Sequence, residues 1–316
     1  MTEILSPVRP SGLRSTAPQA RTPVLFYLME RDYHDGAYKR LKENGTGNSR
    51  PMSILESPTD EAKRIIEVAQ QRKITLRLFG GVSFFFRCPS AKHRSLQRNY
   101  VDVDFMGHAK QSKEIKQLFV ELGYVPRDRF NAMQGYRRLI FNDIEHQRRV
   151  DIFLDVFEMC HKFNFKDRLE IDQYTISLAD MLATKLQIVE INQKDLKDIV
   201  SMFVDHDVSS GDVPEAINGA YLAKLCGGEW GLYKTLTMNL DRVLKVVNEF
   251  ELSDPEKALV TERVNKLRKM IEDAPKSTGW KMRARVGERV QWYELPEADK
   301  EVVDSRVSTE NGTRGT

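Results

Sequence analysis

The segment Tyr100-Val101-Asp102-Val103-Asp104-Phe105 constrains this chain more than any other. Apolar and acidic residues alternate in it. Alternate side chains of a strand share a face, so the pattern predicts a strand with Asp102 and Asp104 on one side and Val101, Val103 and Phe105 on the other. Two carboxylates about 7 Å apart on one wall, at a rise of about 3.3 Å per residue, repel each other unless a cation sits between them. A hard divalent ion, Mg²⁺ or Mn²⁺, meets that need, because it takes carboxylate oxygens and keeps positions open for phosphate. The segment reads as the metal-holding edge of a phosphoryl-transfer site.

Two further runs fit beside it. Ile74-Thr75-Leu76-Arg77-Leu78-Phe79 is strand-like and leads directly into Gly80-Gly81-Val82-Ser83. Two glycines after a strand permit positive φ and close approach of backbone N–H groups to a ligand. A helix opening over Val82 to Phe86 would add free N–H groups, and with the Ser83 hydroxyl these form an anion cradle. Downstream, Arg149-Val150-Asp151-Ile152-Phe153-Leu154-Asp155 predicts a third strand. Asp151 would complete a set of three carboxylates of the kind that holds two metal ions about 3.5–4 Å apart. Asp155 lies on the same face but roughly 13 Å along it, too far to share that set.

The order strand, Gly-Gly-x-Ser, Asp-x-Asp, later strand with a third Asp resembles the nucleotidyltransferase superfamily, which has a polymerase-β-like fold. Within it the chain is most similar to the AbiEii-type abortive-infection toxins, the type IV toxin nucleotidyltransferases. That likeness rests on Leu178-Ala179-Asp180-Met181-Leu182-Ala183-Thr184-Lys185-Leu186 and on Lys194-Asp195-Leu196-Lys197-Asp198-Ile199, and it spans roughly residues 74–204. The resemblance implies an α+β fold with a mixed sheet flanked by helices. It implies metal-dependent transfer of a nucleoside monophosphate from an NTP to an acceptor hydroxyl, with release of pyrophosphate. Asp102, Asp104 and Asp151 would be the catalytic metal ligands, and Gly80, Gly81, Ser83 and Lys185 would bind the nucleotide. The acceptor is open among RNA or tRNA, a protein hydroxyl and a small molecule, and a small antitoxin protein is the partner such toxins have. Two other classes stay in view: a glycosyltransferase using Asp-x-Asp to hold a sugar nucleotide, and a non-catalytic protein binding RNA or a partner.

Several residues have plainer readings. Lys185 falls within the apolar stripe Leu178, Met181, Leu182, Leu186, Val189, so it must snorkel out of the core or meet an anion. Lys194 and Asp198 have the spacing of an ordinary helical ion pair, and Asp195 that of a capping or orienting group. Between Arg87 and Arg98 the chain carries Arg87, Lys92, His93, Arg94 and Arg98 and no acid, a charge run expected to meet triphosphate or RNA. Cys160-His161 reads as structural, because neighbours in a strand face opposite ways.

Composition excludes more than it assigns. A net charge of +3 over 316 residues permits a nucleic-acid partner without requiring one. Three cysteines without a Cys-x-x-Cys pair speak against a disulfide framework and a structural zinc site. No apolar run reaches the ~20 residues of a membrane span and no signal-peptide core is apparent, so a cytoplasmic protein is expected. Residues 1–22 and 299–316 are expected to be unordered, and 23–56 have no assignment. A catalytic domain is expected over 57–211, a helical domain over 212–275 and a terminal hairpin over 276–298.

Overall fold

The computed structural model describes residues 53–93 and 95–295. The expectations for 1–22, for most of 23–56, for Arg94 and for 299–316 lie outside them. Helix α1 (Pro58–Gln71) begins as its sequence dictates: the Ser57 hydroxyl accepts the Asp60 N–H at 3.3 Å, Pro58 stands in the first turn, and Asp60 and Glu61 favour the helix N-terminus. It leads into β1 (Leu76–Phe79), which continues without a loop into α2 (Gly80–Arg87). Then follow β2 (Val103–Gly107), α3 (Ser112–Glu121), β3 (Val125–Pro126), α4 (Asp128–Gln134), and the hairpin of β4 (Arg138–Asp143) and β5 (Arg148–Leu154).

These strands make one mixed sheet in the order β1-β2-β5-β4-β3, in which β2 and β5 are parallel and the other pairs antiparallel. Its two faces differ in kind. Leu78, Phe105, Ile152 and Leu139 form one row across four strands, flanked by Leu76, Val103, Val150 and Phe141, all at most 1% exposed. They bury α1 through Ala62, Ile65, Ile66 and Ala69, and α3 through Ile115, Leu118 and Phe119. The opposite face carries the row Phe79, Asp104, Asp151, Ile140. The mixed sheet with flanking helices is the architecture expected from the sequence.

Beyond the sheet lie a small ladder of β6 (Val156–Glu158) and β7 (Lys162–Asn164), helices α5 (Leu178–Leu186) and α6 (Gln193–Asp205), and a parallel pair, β8 (Asp207–Ser209) with β9 (Ala216–Asn218). Helices α7 (Gly219–Gly228), α8 (Trp230–Val246) and α9 (Asp254–Asp273) complete the bundle, α9 starting on a full capping box between Ser253 and Glu256. Leu182 and Leu186 of α5, Ile199 and Phe203 of α6, Leu222 of α7, Leu236 and Leu240 of α8 and Leu267 of α9 share one apolar cluster, which also takes in Phe79 and Met106 of the sheet. The helices on both sides of residue 212 thus bury their apolar stripes together.

The hairpin expected over 276–298 is not what the chain forms there. Helix α10 (Thr278–Val286) starts where the Ser277 hydroxyl accepts the Trp280 N–H at 3.0 Å and stops at Gly287, at φ +60°. Arg283 donates to the Gly287 and Val290 carbonyls at 2.6 and 2.7 Å, satisfying groups that a second strand would otherwise claim. Trp280 and Met282 lie on a short helix, and Trp292 and Tyr293 follow it in irregular structure. Among the described residues, no helix is long and apolar enough to cross a membrane.

Phe119, fully buried, stacks on Phe141 with ring centroids 4.9 Å apart and ties α3 to the sheet. Phe119→Ala is expected to cost about 3–5 kcal/mol and to lower the urea midpoint at unchanged m-value.

Candidate active site

The two strands that carry acids are parallel neighbours, and their register sets Asp104 directly opposite Asp151. In-register residues of a parallel pair point to the same face, so the two carboxylates stand together on the sheet face that lacks α1 and α3. Asp102 differs from expectation. The strand begins at Val103, and Asp102 is exposed one residue before it, as is Val101 at 61%. β1 ends at Phe79, opposite Asp104, and turns into α2, so residues 100–102 have no strand to pair with on that side. Asp102 still lies close enough to act on Asp104. Burial raises the Asp104 carboxyl to about 7, with the charges of Asp151 and then Asp102 adding to it and Lys185 and Arg149 opposing it.

Gly80 is fixed by this carboxylate. Its φ is +64°, and a Cβ built on it would collide with Asp104 Oδ2. A Cβ on Gly81 would run into the Arg98 guanidinium. The chain therefore passes from β1 into α2 with its backbone against both a site acid and a site cation. Helix α2 starts at Gly80, earlier than the sequence suggested, and this changes the part of Ser83. Its hydroxyl donates to the Gly80 carbonyl at 2.6 Å and the residue is fully buried, so it braces the first turn.

Asp151 is 2% exposed and held at both oxygens. Arg138 Nε and Nη2 each donate to Oδ1 at 2.9 Å, and Arg149 Nε donates to Oδ2 at 2.7 Å. Sequence reading missed both arginines. The signal was available: Arg149 and Asp151 alternate on one face of β5, and hairpin register brings Arg138 to that face of β4.

Lys185 meets anions, but from its own protein. Its Nζ lies 2.6 Å from Asp195 Oδ1 and 2.9 Å from Asp198 Oδ2, and these partners raise its pKa against the opposing effect of burial. Asp198 also takes the Arg98 guanidinium at both oxygens, each 2.8 Å away. The expected Lys194–Asp198 helical pair is thus replaced by a buried network of Lys185, Asp195, Asp198 and Arg98. Asn192, not Asp195, caps α6, accepting the Lys194 and Asp195 N–H groups at 2.9 and 3.1 Å.

The basic segment is likewise partly neutralised by acids far away in sequence. Arg87 pairs with Asp172, and with Glu215 at 2.7 Å. Arg98 is committed to Asp198, whereas Lys92 is exposed, with Nζ 4.6 Å from the Phe85 ring centroid. Cys160 and His161 lie in the bend between β6 and β7 and not in a strand, so strand geometry does not separate them; His161 is buried with Nε2 2.8 Å from Thr235 Oγ1. Asp155, set apart from the acid trio, lies 3.1 Å from His108 Nδ1.

All three groups are carboxylates, the chemistry that suits Mg²⁺ or Mn²⁺, and a bound cation would offset both the burial and the neighbouring charges that raise Asp104. Among the described residues, no three His, Cys, Asp or Glu side chains already converge as a metal cage. In this arrangement both Asp151 oxygens accept guanidinium hydrogen bonds instead. Carboxylates such as Asp102 and Asp104 are the donor type that a hard divalent ion takes, and Asp151 would have to release an arginine to join them.

No protein-family model matches the chain, and no curated protein matches it. Among solved structures it is similar to the lincomycin-bound crystal structure of the lincosamide antibiotic adenylyltransferase LnuA. The identity is 17% and the TM-score 0.34, over 48% of this chain and 97% of that one.

Two outcomes follow from the site electrostatics. The folded state holds the Asp104 proton more tightly than the unfolded chain does, so ionising Asp104 opposes folding. Its contribution to stability is full below the unfolded pKa of about 4 and is lost as pH rises through about 7. In chelator, Asp104→Asn is expected to melt above wild type at pH 8, the gap closing toward pH 4; a gap independent of pH would contradict this. Asp198→Ala leaves Lys185 and Arg98 buried with reduced compensation and is expected to cost about 3–5 kcal/mol in denaturant titrations.

Proposed function

We propose that the protein is a metal-dependent nucleotidyltransferase, moving a nucleoside monophosphate from an NTP to an acceptor hydroxyl with release of pyrophosphate. The observation that supports this most is the contact of three elements at one point. Asp104 and Asp151 stand in register on parallel strands, and the Gly80 backbone is pressed against Asp104 at the start of a helix. Asp102 and Asp104 would hold Mg²⁺ or Mn²⁺, and Asp151 would complete the set. A divalent ion there supplies charge neutralisation at the phosphoryl oxygens.

The chain's own groups do the rest. The free N–H groups of the first turn of α2, at Gly80 and Gly81, are suited to receive phosphate oxygens. Lys185, held in place by Asp195 and Asp198, adds a fixed positive charge on the same side. Asp151 helps to take the proton of the attacking hydroxyl. That role requires it to release one guanidinium, and Arg149, 47% exposed against 21% for Arg138, is the one free to swing away. Catalysis of this kind rests on positioning and preorganised charge more than on covalent chemistry.

The AbiEii-type likeness adds the finer part of the proposal: an RNA acceptor, tRNA included, a toxin's role in the cytoplasm, and a small antitoxin protein as partner. A glycosyltransferase has no use for a glycine backbone pressed on the Asp-x-Asp carboxylate, which disfavours that alternative.

The test is incubation of wild type and Asp104→Asn with each α-³²P-labelled NTP, Mg²⁺, total RNA and lysate protein. Label transferred to an RNA or protein band by wild type alone is the expected result, with a loss of at least about 10³-fold in the variant. Equal transfer by Asp104→Asn would refute the assignment.

A further inference from the structure

Beside the carboxylates, and not used by them, lies a cleft of about 300 Å³ between the start of α1 and the segment that joins α2 to β2. Its floor is aromatic. Phe85 and Tyr100 meet edge to face, with ring centroids 5.7 Å apart and planes at 72°. The Tyr100 hydroxyl is buried and makes no hydrogen bond among the described residues, so the cleft is offered the ring rather than the hydroxyl. The rim is polar: Lys92, Gln97 and Asn99 are exposed there. Arg98 forms the wall toward the catalytic centre. Its guanidinium lies 4.5 Å from the Tyr100 ring centroid and at the same time blocks any side chain at Gly81. Among the described residues no carboxylate lines the cleft.

These features call for one ligand chemistry. The two half-buried rings each carry a cation over one side, Lys92 Nζ 4.6 Å from the Phe85 centroid and Arg98 4.5 Å from that of Tyr100, and a base would stack on the ring surface these leave. Two side-chain amides each present a donor and an acceptor suited to a base edge. A lysine with no acid beside it in the cleft suits a phosphate. The volume is at the small end for ligand pockets and admits a nucleoside, not a folded polymer.

We propose that this cleft is a nucleobase subsite, with Phe85 and Tyr100 as the stacking platform, Gln97 and Asn99 at the base edge and Lys92 on the adjoining phosphate. The proposal rests on the nucleotidyltransferase reading, since the wall it shares with Gly81 places the base one residue from the phosphate-receiving backbone. The base belongs either to the donor NTP or to the terminal nucleotide of an RNA acceptor.

Equilibrium binding to the full chain separates these sources. The ligands are α,β-methylene NTPs, ribose 5-triphosphate without a base, a short single-stranded RNA, and the same RNA with an abasic 3′ nucleotide, all with Mg²⁺. Phe85→Leu preserves bulk and apolarity while removing the ring, and Lys92→Gln changes only an exposed side chain, so both variants should fold. Wild type should prefer the base-bearing member of one pair, and Phe85→Leu should weaken that member by about 5- to 100-fold while leaving its abasic counterpart unchanged. Lys92→Gln should weaken both members of that pair. An effect on the triphosphates assigns the base to the donor, and an effect on the RNAs assigns it to the acceptor. Base-bearing and abasic ligands bound equally by wild type and Phe85→Leu would overturn the subsite and leave the nucleotidyltransferase reading standing. Binding of none of these ligands would overturn both.

Discussion

Asp104 and Asp151 stand side by side on parallel strands, and neither can move away, because the opposite face of those strands is sealed by α1 and α3. Two like charges at that separation have to be compensated, and much of the site's construction is that compensation. Arg138 and Arg149 close on Asp151, Lys185 stands near enough to lower Asp104, and Lys185 is itself fixed by Asp195 and Asp198. Asp198 in turn holds Arg98, which lies over Gly81. A chain of charges thus runs from the sheet to α6 and back to the glycine turn. The glycines, the carboxylates and the later lysine, distant in sequence, belong to one electrostatic unit.

The fold separates stability from chemistry by giving each a face of one sheet. The face toward α1 and α3 is apolar and fully buried, as an ordinary two-layer core. The other face changes character along its length. Asp104 and Asp151 lie at one end, while Phe79, Met106 and Phe153 on the same side reach the cluster formed with α5 to α9. That second cluster sets the distance from Lys185 on α5 to Asp104 on β2. The helical half of the chain is therefore part of the site's geometry, and its helices pack with the sheet rather than standing off as an independent body.

How much of this was legible in the sequence depends on the range of each signal. The strands follow from local alternation, and they formed near where it placed them, except that the Asp-x-Asp strand begins at Val103 and leaves Asp102 outside it. The acids were legible because buried alternation with Asp is rare. Their partners were not: Arg98 finds Asp198 a hundred residues away, Arg87 finds Asp172 and Glu215, and no periodicity encodes such pairs. The segment from Arg87 to Arg98 holds no acid and so looked like an open cationic face. The terminal hairpin expected over 276–298 shows the converse error, since its first half is a short helix with a serine cap and a glycine stop. Ser83 was misread for a smaller reason. A helix that starts two residues earlier than expected turns a ligand-facing hydroxyl into one that braces its own first turn.

The charge balance at the centre bears on what can bind there. Asp102, Asp104, Asp151, Asp195 and Asp198 face Arg98, Arg138, Arg149 and Lys185, so among the described residues one negative charge is left over. The raised Asp104 carboxyl is where that excess is felt, and a proton is the least costly way to remove it when no metal is present. In that state the centre is neutral and offers an anion little, because each of its cations is committed to an acid. A divalent ion among these carboxylates would add two positive charges where one negative charge is in excess, and to reach Asp151 it would have to compete with Arg138 and Arg149 for the same oxygens.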